Sequence, residues 1–244
     1  MKQIVCMKWG TLYGADFVNK LYAMVRRNIT GDFRFVCLTD DRRDINPDIE
    51  CMECPAVRGP DYWRNTGWRK ISLWADKLPG MEGDWLFLDL DVVITGSLDD
   101  FFEFEPGADF AVMQNWTQSG QNIGNTSVYR FRVGSHPHLL ADLEENFESV
   151  MHRYRNEQTF VSREIGDVTF WPDEWCLLFK VHCIPPMPVR WWKPPALPPG
   201  AKIVAFPGSP KPSDAAIGKW PAKSYKKIYK HIRPAPWVAE HWRE

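Results

Sequence analysis

Asp89 and Asp91 stand two residues apart at the end of an apolar run, Trp85 to Leu88, within the segment LFLDLDVVIT. Side chains two apart on a strand point to the same side. The two carboxylates are therefore presented together at the strand's carboxyl end, where open α/β sheets bind their ligands. Hard oxygen donors of this kind suit Mg2+ or Mn2+. A cation held there bridges the phosphates of a diphosphate and neutralises the charge that grows on it as the attached group leaves. Taken alone, the pair also fits a solvated turn that closes a strand.

Such a pair needs a sheet to carry it and helices to cover that sheet, and the chain supplies both patterns. Gln3 to Met7, Phe33 to Leu38, Phe110 to Met113, Ser127 to Arg132 and Ile203 to Phe206 read as further short strands. Phe17, Leu21, Met24 and Val25 fall at helical spacing, as do Ile71, Trp74, Ala75 and Leu78 from Gly67 to Pro79-Gly80. A long amphipathic helix is expected from Pro137 to about Tyr154, with Leu139, Leu143, Phe147 and Val150 inward. Alternation of strand and helix predicts an α/β fold with a mostly parallel central sheet flanked by helices.

The 244 residues, 44% hydrophobic, are enough to bury a full core. Lys+Arg 30 against Asp+Glu 31 leaves no global field to attract nucleic acid. Six cysteines without paired metal-site spacing, Cys51-x-x-Cys54 included, suit reduced thiols. The opening residues lack the apolar core of a secretory signal, and no run matches the length of a membrane span, so a cytoplasmic protein is expected. Thirteen Trp and 20 Pro suit aromatic platforms and rigid loops around a ligand. One domain is expected over residues 1–218, including a Pro-rich surface loop at 184–200, followed by a basic aromatic tail at 219–244. Trp191 and Trp192 in that loop suit acceptor stacking. The tail fits either an amphipathic element packed on the core or peripheral contact with the inner face of an anionic membrane.

The run around Asp89 also resembles the haloacid-dehalogenase phosphatases, in which the first Asp is a phosphorylated nucleophile and the second a general acid. That motif opens its domain, whereas two strand-helix units come first here, and Val92 stands where a small residue is usual.

In the order of its motifs, over nearly its whole length, the chain resembles the family 8 glycosyltransferases, the group containing glycogenin and bacterial lipopolysaccharide galactosyltransferases, which have a GT-A fold. VCMKWGTLYGADF resembles the family's first strand and turn, which hold the nucleobase and ribose. This implies that Tyr13 stacks on the base, with Lys8 and Trp9 replacing small polar residues, and that Asp40 holds a base N–H. WRKISLW followed by LFLDLDVVITGSLDDFF resembles the Lys-bearing helix and metal strand, which implies that Lys70, and more weakly Arg69, reaches the phosphates or donor sugar while Asp89 and Asp91 bind the metal. QNIGNTSVYRFR implies a sugar contact from Asn125, with Ser127 in place of a Gly. FWPDEWCLLFK implies that Asp173 binds a sugar hydroxyl and that Glu174, in a Gln position, stabilises an oxocarbenium-like transition state or acts as nucleophile. KIVAFPGSPKP implies that Gly208 approaches the diphosphate and Lys211 pairs with it, while Ala205 replaces the His that is normally the third metal ligand and Ser213 replaces a Trp.

The expected activity is transfer of a hexose from a nucleotide-diphosphate sugar, UDP-linked by resemblance, to a sugar or glycolipid hydroxyl, with retention at the anomeric carbon and Mn2+ or Mg2+ as cofactor. Asp89 as a phosphatase nucleophile and a non-catalytic sugar-nucleotide-binding protein are the alternatives.

Overall fold

Residues of alternating direction along the first strand feed two separate cores. Ile4 and Cys6 face one, Val5 and Met7 the other, and all four are buried. A strand buried on both faces reads as a continuous apolar run, as parallel strands covered by helices do.

The structure, a computed structural model, describes residues 1–60 and 66–244. Its strands are β1 (Lys2–Lys8), β2 (Phe33–Thr39), β3 (Glu50–Met52), β4 (Asp84–Leu88), β5 (Val92–Ile94), β6 (Phe110–Gln114), β7 (Gly124–Arg132), β8 (Thr169–Phe170), β9 (Cys176–Leu178) and β10 (Ile203–Ala205). Its helices are α1 (Ala15–Arg27), α2 (Asp100–Glu103), α3 (His138–Glu145), α4 (Phe147–Arg153), α5 (Glu157–Ile165), α6 (Pro212–Ala216) and α7 (Pro236–His241), and Gly67–Trp74 forms a 3-10 helix.

The main sheet has the order β3-β2-β1-β4-β7-β6-β8. Within it only β7 runs against its neighbours. The chain steps from β1 outward to β2 and β3, then returns to add β4 on the other side, so strand order reverses between β1 and β4. The crevice beyond their carboxyl ends is where an open α/β sheet binds ligands. A second sheet, β5-β10-β9, continues from the end of β4. It puts Ala205 beside Val92 and ties the Phe206 N–H to the Asp91 carbonyl at 3.0 Å.

Several elements differ from their sequence patterns. The segment from Gly67 winds as a 3-10 helix and stops at Trp74, and Leu78 pairs with Met81 in a bridge instead. The helix expected from Pro137 to Tyr154 breaks at Asn146, where φ −120° and ψ 33° leave the helical region. Its inward residues still face one core, since Leu139, Leu143 and Val150 are fully buried. Residues 184–200 contain one short 3-10 turn, Val189–Trp191. The segment after 219 does pack: Ile232, Ala235, Val238 and Trp242 are buried, and Trp242 meets Phe17 edge-on. Among the described residues no helix is long and apolar enough to cross a membrane, and all six cysteines are free thiols.

Gly124 opens β7 opposite Gln114, just past a register shift between Val112 and Met113. A Cβ there would lie 2.5 Å from Val112 Cγ1. Val112 is buried and β-branched, so it has little room to yield. Gly124→Ala is expected to cost about 2 kcal/mol through overpacking, seen as a lowered denaturant midpoint, and to disturb the following residues that line the site.

Candidate active site

At the reversal point, a cleft of about 650 Å3 opens among the loops after β1 and β4, the start of α5 and the turn after β10. Trp9, Tyr13, Lys70, Asp89, Asp91, Ser127 and Gly208 all line it, together with Glu157 and Gln158.

Its floor is a network around Lys70. This buried ammonium lies 3.3 Å from both Asp89 oxygens, 3.0 Å from the Thr126 carbonyl, 3.2 Å from Thr126 Oγ1 and 3.7 Å from Glu157 Oε1. Thr126 Oγ1 in turn donates to Glu157 Oε1 at 3.0 Å. Burial works against the charge on Lys70, but Asp89 and Glu157 more than offset it, and its pKa is raised. Burial raises the Asp89 carboxyl above the ordinary carboxylate range, while Lys70 pulls it back. Asp89 keeps a quarter of its side chain open to the cleft, at 25% exposure.

Asp91 belongs to a second network. Tyr13 Oη donates to Asp91 Oδ2 at 2.8 Å, Lys211 Nζ donates to the same oxygen at 2.6 Å, and Lys211 also contacts the Tyr13 hydroxyl. Burial and the neighbouring Asp91 raise the phenol pKa, so Tyr13 stays a protonated donor. Lys211 N donates to Asp214 Oδ2 at 3.2 Å, which fixes the entry into α6. Gly208 sits at φ +77°, a conformation that favours glycine. Lys180 Nζ donates to the Pro207 carbonyl at 2.7 Å and would be 3.7 Å from a Cβ on Gly208. Burial, then repulsion from Lys230 and Lys211, lowers the pKa of Lys180.

The other predicted residues lie around this centre or away from it. Lys8 is buried and directs Nζ to the Asp41 carbonyl at 3.4 Å. Asp40 accepts from the Gly10 N–H at 3.0 Å and so braces the loop that carries Trp9. It also lines a separate depression with Arg69. Asn125 folds its side chain back on β7, accepting from the Ser127 N–H at 2.9 Å.

Asp173 and Glu174, expected beside the anomeric carbon, are exposed and stand outside the cleft. They precede β9, whose first residue is level with Ile203, so they sit at the end of the small sheet opposite Phe206 to Gly208. Glu174 lies against Gly200 instead. Besides Asp89 and Asp91, the carboxylate that lines the cleft is Glu157, the first residue of α5 after an Asn156 cap that accepts from Thr159 N at 2.9 Å. The polar run Asn156-Glu157-Gln158 ahead of Phe160 and Val161 is the sequence signal for that helix start.

No family model matches the chain, and no curated protein matches it in sequence. Solved structures do match in fold. A galactosyltransferase, LgtC, in complex with donor and acceptor sugar analogs is similar at a TM-score of 0.59 and 12% identity, over 86% of this chain and 88% of that one. The glycosyltransferase GlyE of Streptococcus pneumoniae is similar at 0.59 and 14%, over 87% of this chain and 56% of GlyE. The bifunctional glycosyltransferase WbbM is similar at 0.52 and 14%, over 98% of this chain and half of WbbM, 50%. The chain has the GT-A fold of these glycosyltransferases.

The donor set expected to hold Mn2+ or Mg2+ does not fit a divalent ion as it stands. Each carboxylate of the pair already has an ammonium partner, and the strand beside Asp91 offers only the methyl group of Ala205.

Lys70→Met would leave the half-buried Asp89 and the buried Glu157 together without a cation. The Asp89 pKa then rises further, whereas the unfolded chain ionises near an ordinary value of about 4. Between those values the folded state holds a proton that the unfolded state has released, so stability falls as pH rises through the window. The variant is expected to lose about 3 kcal/mol at pH 8 and clearly less at pH 5, read from urea midpoints at the two pH values.

Proposed function

We propose that this chain is a glycosyltransferase that moves a hexose from a nucleotide-diphosphate sugar, a UDP-linked one, to a sugar or glycolipid hydroxyl with retention of configuration. One observation carries the reading. Lys70, Tyr13 and Gly208 line one cleft at the strand-order reversal, and Lys211, from the far end of the chain, hydrogen-bonds to two of its lining residues, Asp91 and Tyr13. Ammonium groups and a glycine turn there suit a diphosphate leaving group. Trp9, at the cleft's edge, offers a flat face to a nucleobase. The shared GT-A fold and the order of the sequence motifs support donor class and retention.

In this reading the acceptor oxygen bonds to the anomeric carbon as the carbon-to-phosphate-oxygen bond breaks, and the acceptor's proton passes to the leaving phosphate. No separate histidine base is needed. Ser127, Gln158 and the open edge of Asp89 face the space where sugar hydroxyls would lie. Glu157 holds Lys70 in position. The GT-A fold shared with solved glycosyltransferases favours transfer over the phosphatase alternative.

A thermal-shift panel of nucleotide sugars at concentrations near 100-fold Kd is expected to raise Tm by roughly 5–10 °C for the correct donor. Turnover with that donor should yield a product of the donor's anomeric configuration by NMR. Stabilisation without turnover against any acceptor would favour the non-catalytic alternative, and a panel with no hit would refute the transfer reading.

We also propose that the acceptor is presented from an anionic membrane. Trp192, Tyr225 and Ile228 are exposed at 69%, 66% and 68%. The two segments that carry them are joined by Arg190 Nη1, which donates to the Tyr229 carbonyl at 3.1 Å, and by the Trp191 and His231 rings at 6.2 Å. Lys219, Lys223 and Lys227 are exposed along the same segment. Aromatic and aliphatic tips among lysines suit a headgroup layer. The intact protein should co-sediment with vesicles containing phosphatidylserine and not with neutral ones, and Trp192→Ser with Ile228→Ser should abolish this without lowering Tm. Equal sedimentation of wild type and variant would remove the idea.

A further inference from the structure

The two aspartates are arranged to hold lysines. Asp91 Oδ2 accepts both Lys211 Nζ at 2.6 Å and Tyr13 Oη at 2.8 Å, which fills the in-plane positions of that oxygen. Both oxygens of Asp89 face Lys70 Nζ at 3.3 Å. Mg2+ or Mn2+ would have to settle between two ammonium groups and gather several more oxygens. The nearest strand supplies none, since Ala205 stands beside Val92 and Phe206 gives only its N–H to Asp91. Among the described residues no group of three or more His, Cys, Asp or Glu is arranged to hold a metal ion.

A third ammonium completes the pattern. Lys180 Nζ bonds at 2.7 Å to the Pro207 carbonyl and stands beside the Gly208 turn, and both Pro207 and Gly208 line the cleft. Lys211 and Lys180 sit on long flexible stems and can turn from their present oxygens to a phosphate without moving the backbone. Lys70, locked by Asp89, Thr126 and Glu157, cannot turn and serves as fixed charge.

We infer that the cleft binds its diphosphate through Lys70, Lys211 and Lys180 without a divalent cation, and that Asp89 and Asp91 serve as resting counter-ions of two of these lysines and not as metal ligands. This rests on the nucleotide-sugar reading of the cleft. It assigns to lysines the charge neutralisation that a bridging metal supplies elsewhere, so the leaving diphosphate is met by hydrogen-bonding ammonium groups.

Isothermal titration of the full chain with UDP and GDP, once in EDTA and once in Mn2+ or Mg2+, tests the inference. The expected result is equal affinity in the two buffers. Lys211→Met and Lys180→Met should each weaken binding in EDTA by about tenfold or more, the loss of one charge-assisted hydrogen bond. Asp91→Asn deletes a metal ligand but releases Lys211 to the phosphates, so it should strengthen binding in EDTA, with Tm measured on each variant to confirm folding. Binding seen only with the metal, or lost in Asp91→Asn, overturns the inference and leaves the transfer reading standing. Binding in neither buffer by the folded protein overturns both.

Discussion

The rest of the site depends on one buried ammonium. Taking a lysine out of water costs several kcal/mol unless its charge and all three N–H donors are met. Lys70 meets that cost with oxygens from three directions: Asp89 after β4, Thr126 on β7 and Glu157 at the start of α5. The lysine itself comes from the 3-10 helix, so four elements converge on one atom. None can shift alone without leaving a charge unpaired. Gly67, at the head of that 3-10 helix, shows how tight the convergence is, because a Cβ there would stand 3.0 Å from Glu157 Oε1.

The sheet makes this convergence possible through one reversed strand. β4 runs toward the cleft and delivers Asp89, while the antiparallel β7 starts there, so Ser127, near its start, sits level with Asp89 and Thr126 lies next to it. The Asp89 N–H donates to the Ser127 carbonyl at 2.9 Å, continuing the ladder just past the end of β4. A parallel β7 would have carried those residues to the far end of the sheet. Past Leu90, which is buried, the chain enters the small sheet, and Asp91 is fixed by the Phe206 N–H. The carboxylates are thus held by different sheets, which is why each has its own lysine.

Much of this was legible in the sequence because it lies on patterned elements. Short runs rich in apolar residues marked β1, β2, β4, β6 and β7 to within a few residues, and the Asp pair was visible because it interrupts such a run. Tyr13 and Lys70 came from short ordered motifs and line the cleft, and Lys211, from another, hydrogen-bonds to Asp91 and Tyr13 there. Of the three-residue strands, β10 was legible from the apolar run Ile203 to Phe206, but β3, β5 and β9 were not, since runs so short carry no periodicity and are stabilised only by their partners. Asp173-Glu174 and Asn156-Glu157 are equally good polar stretches to the eye. Only the register of β9 against β10 sends the first pair to the far end of the small sheet, and only the packing of α5 on β7 brings Glu157 under Lys70. Lys180 was invisible for the same reason, being one lysine on an irregular turn whose direction is set by tertiary contacts.

The C-terminal segment shows the same dependence from outside. Trp237 packs against Phe206 and Phe179, at 6.5 Å and 6.2 Å, just before the Gly208 turn and just before Lys180. Trp242 packs on Phe17, one turn into the helix that follows Tyr13, and the Ala235 N–H donates to Ala215 at the end of α6. The last residues of the chain therefore back the Lys211 loop, the Lys180 turn and the Tyr13 helix at once. Two of those three parts reach Asp91 through hydrogen bonds to one oxygen, so rigidity at the tail is transmitted to the lysine geometry in the cleft. A tail that appears in the sequence as a basic appendage is, physically, the outer wall of the site.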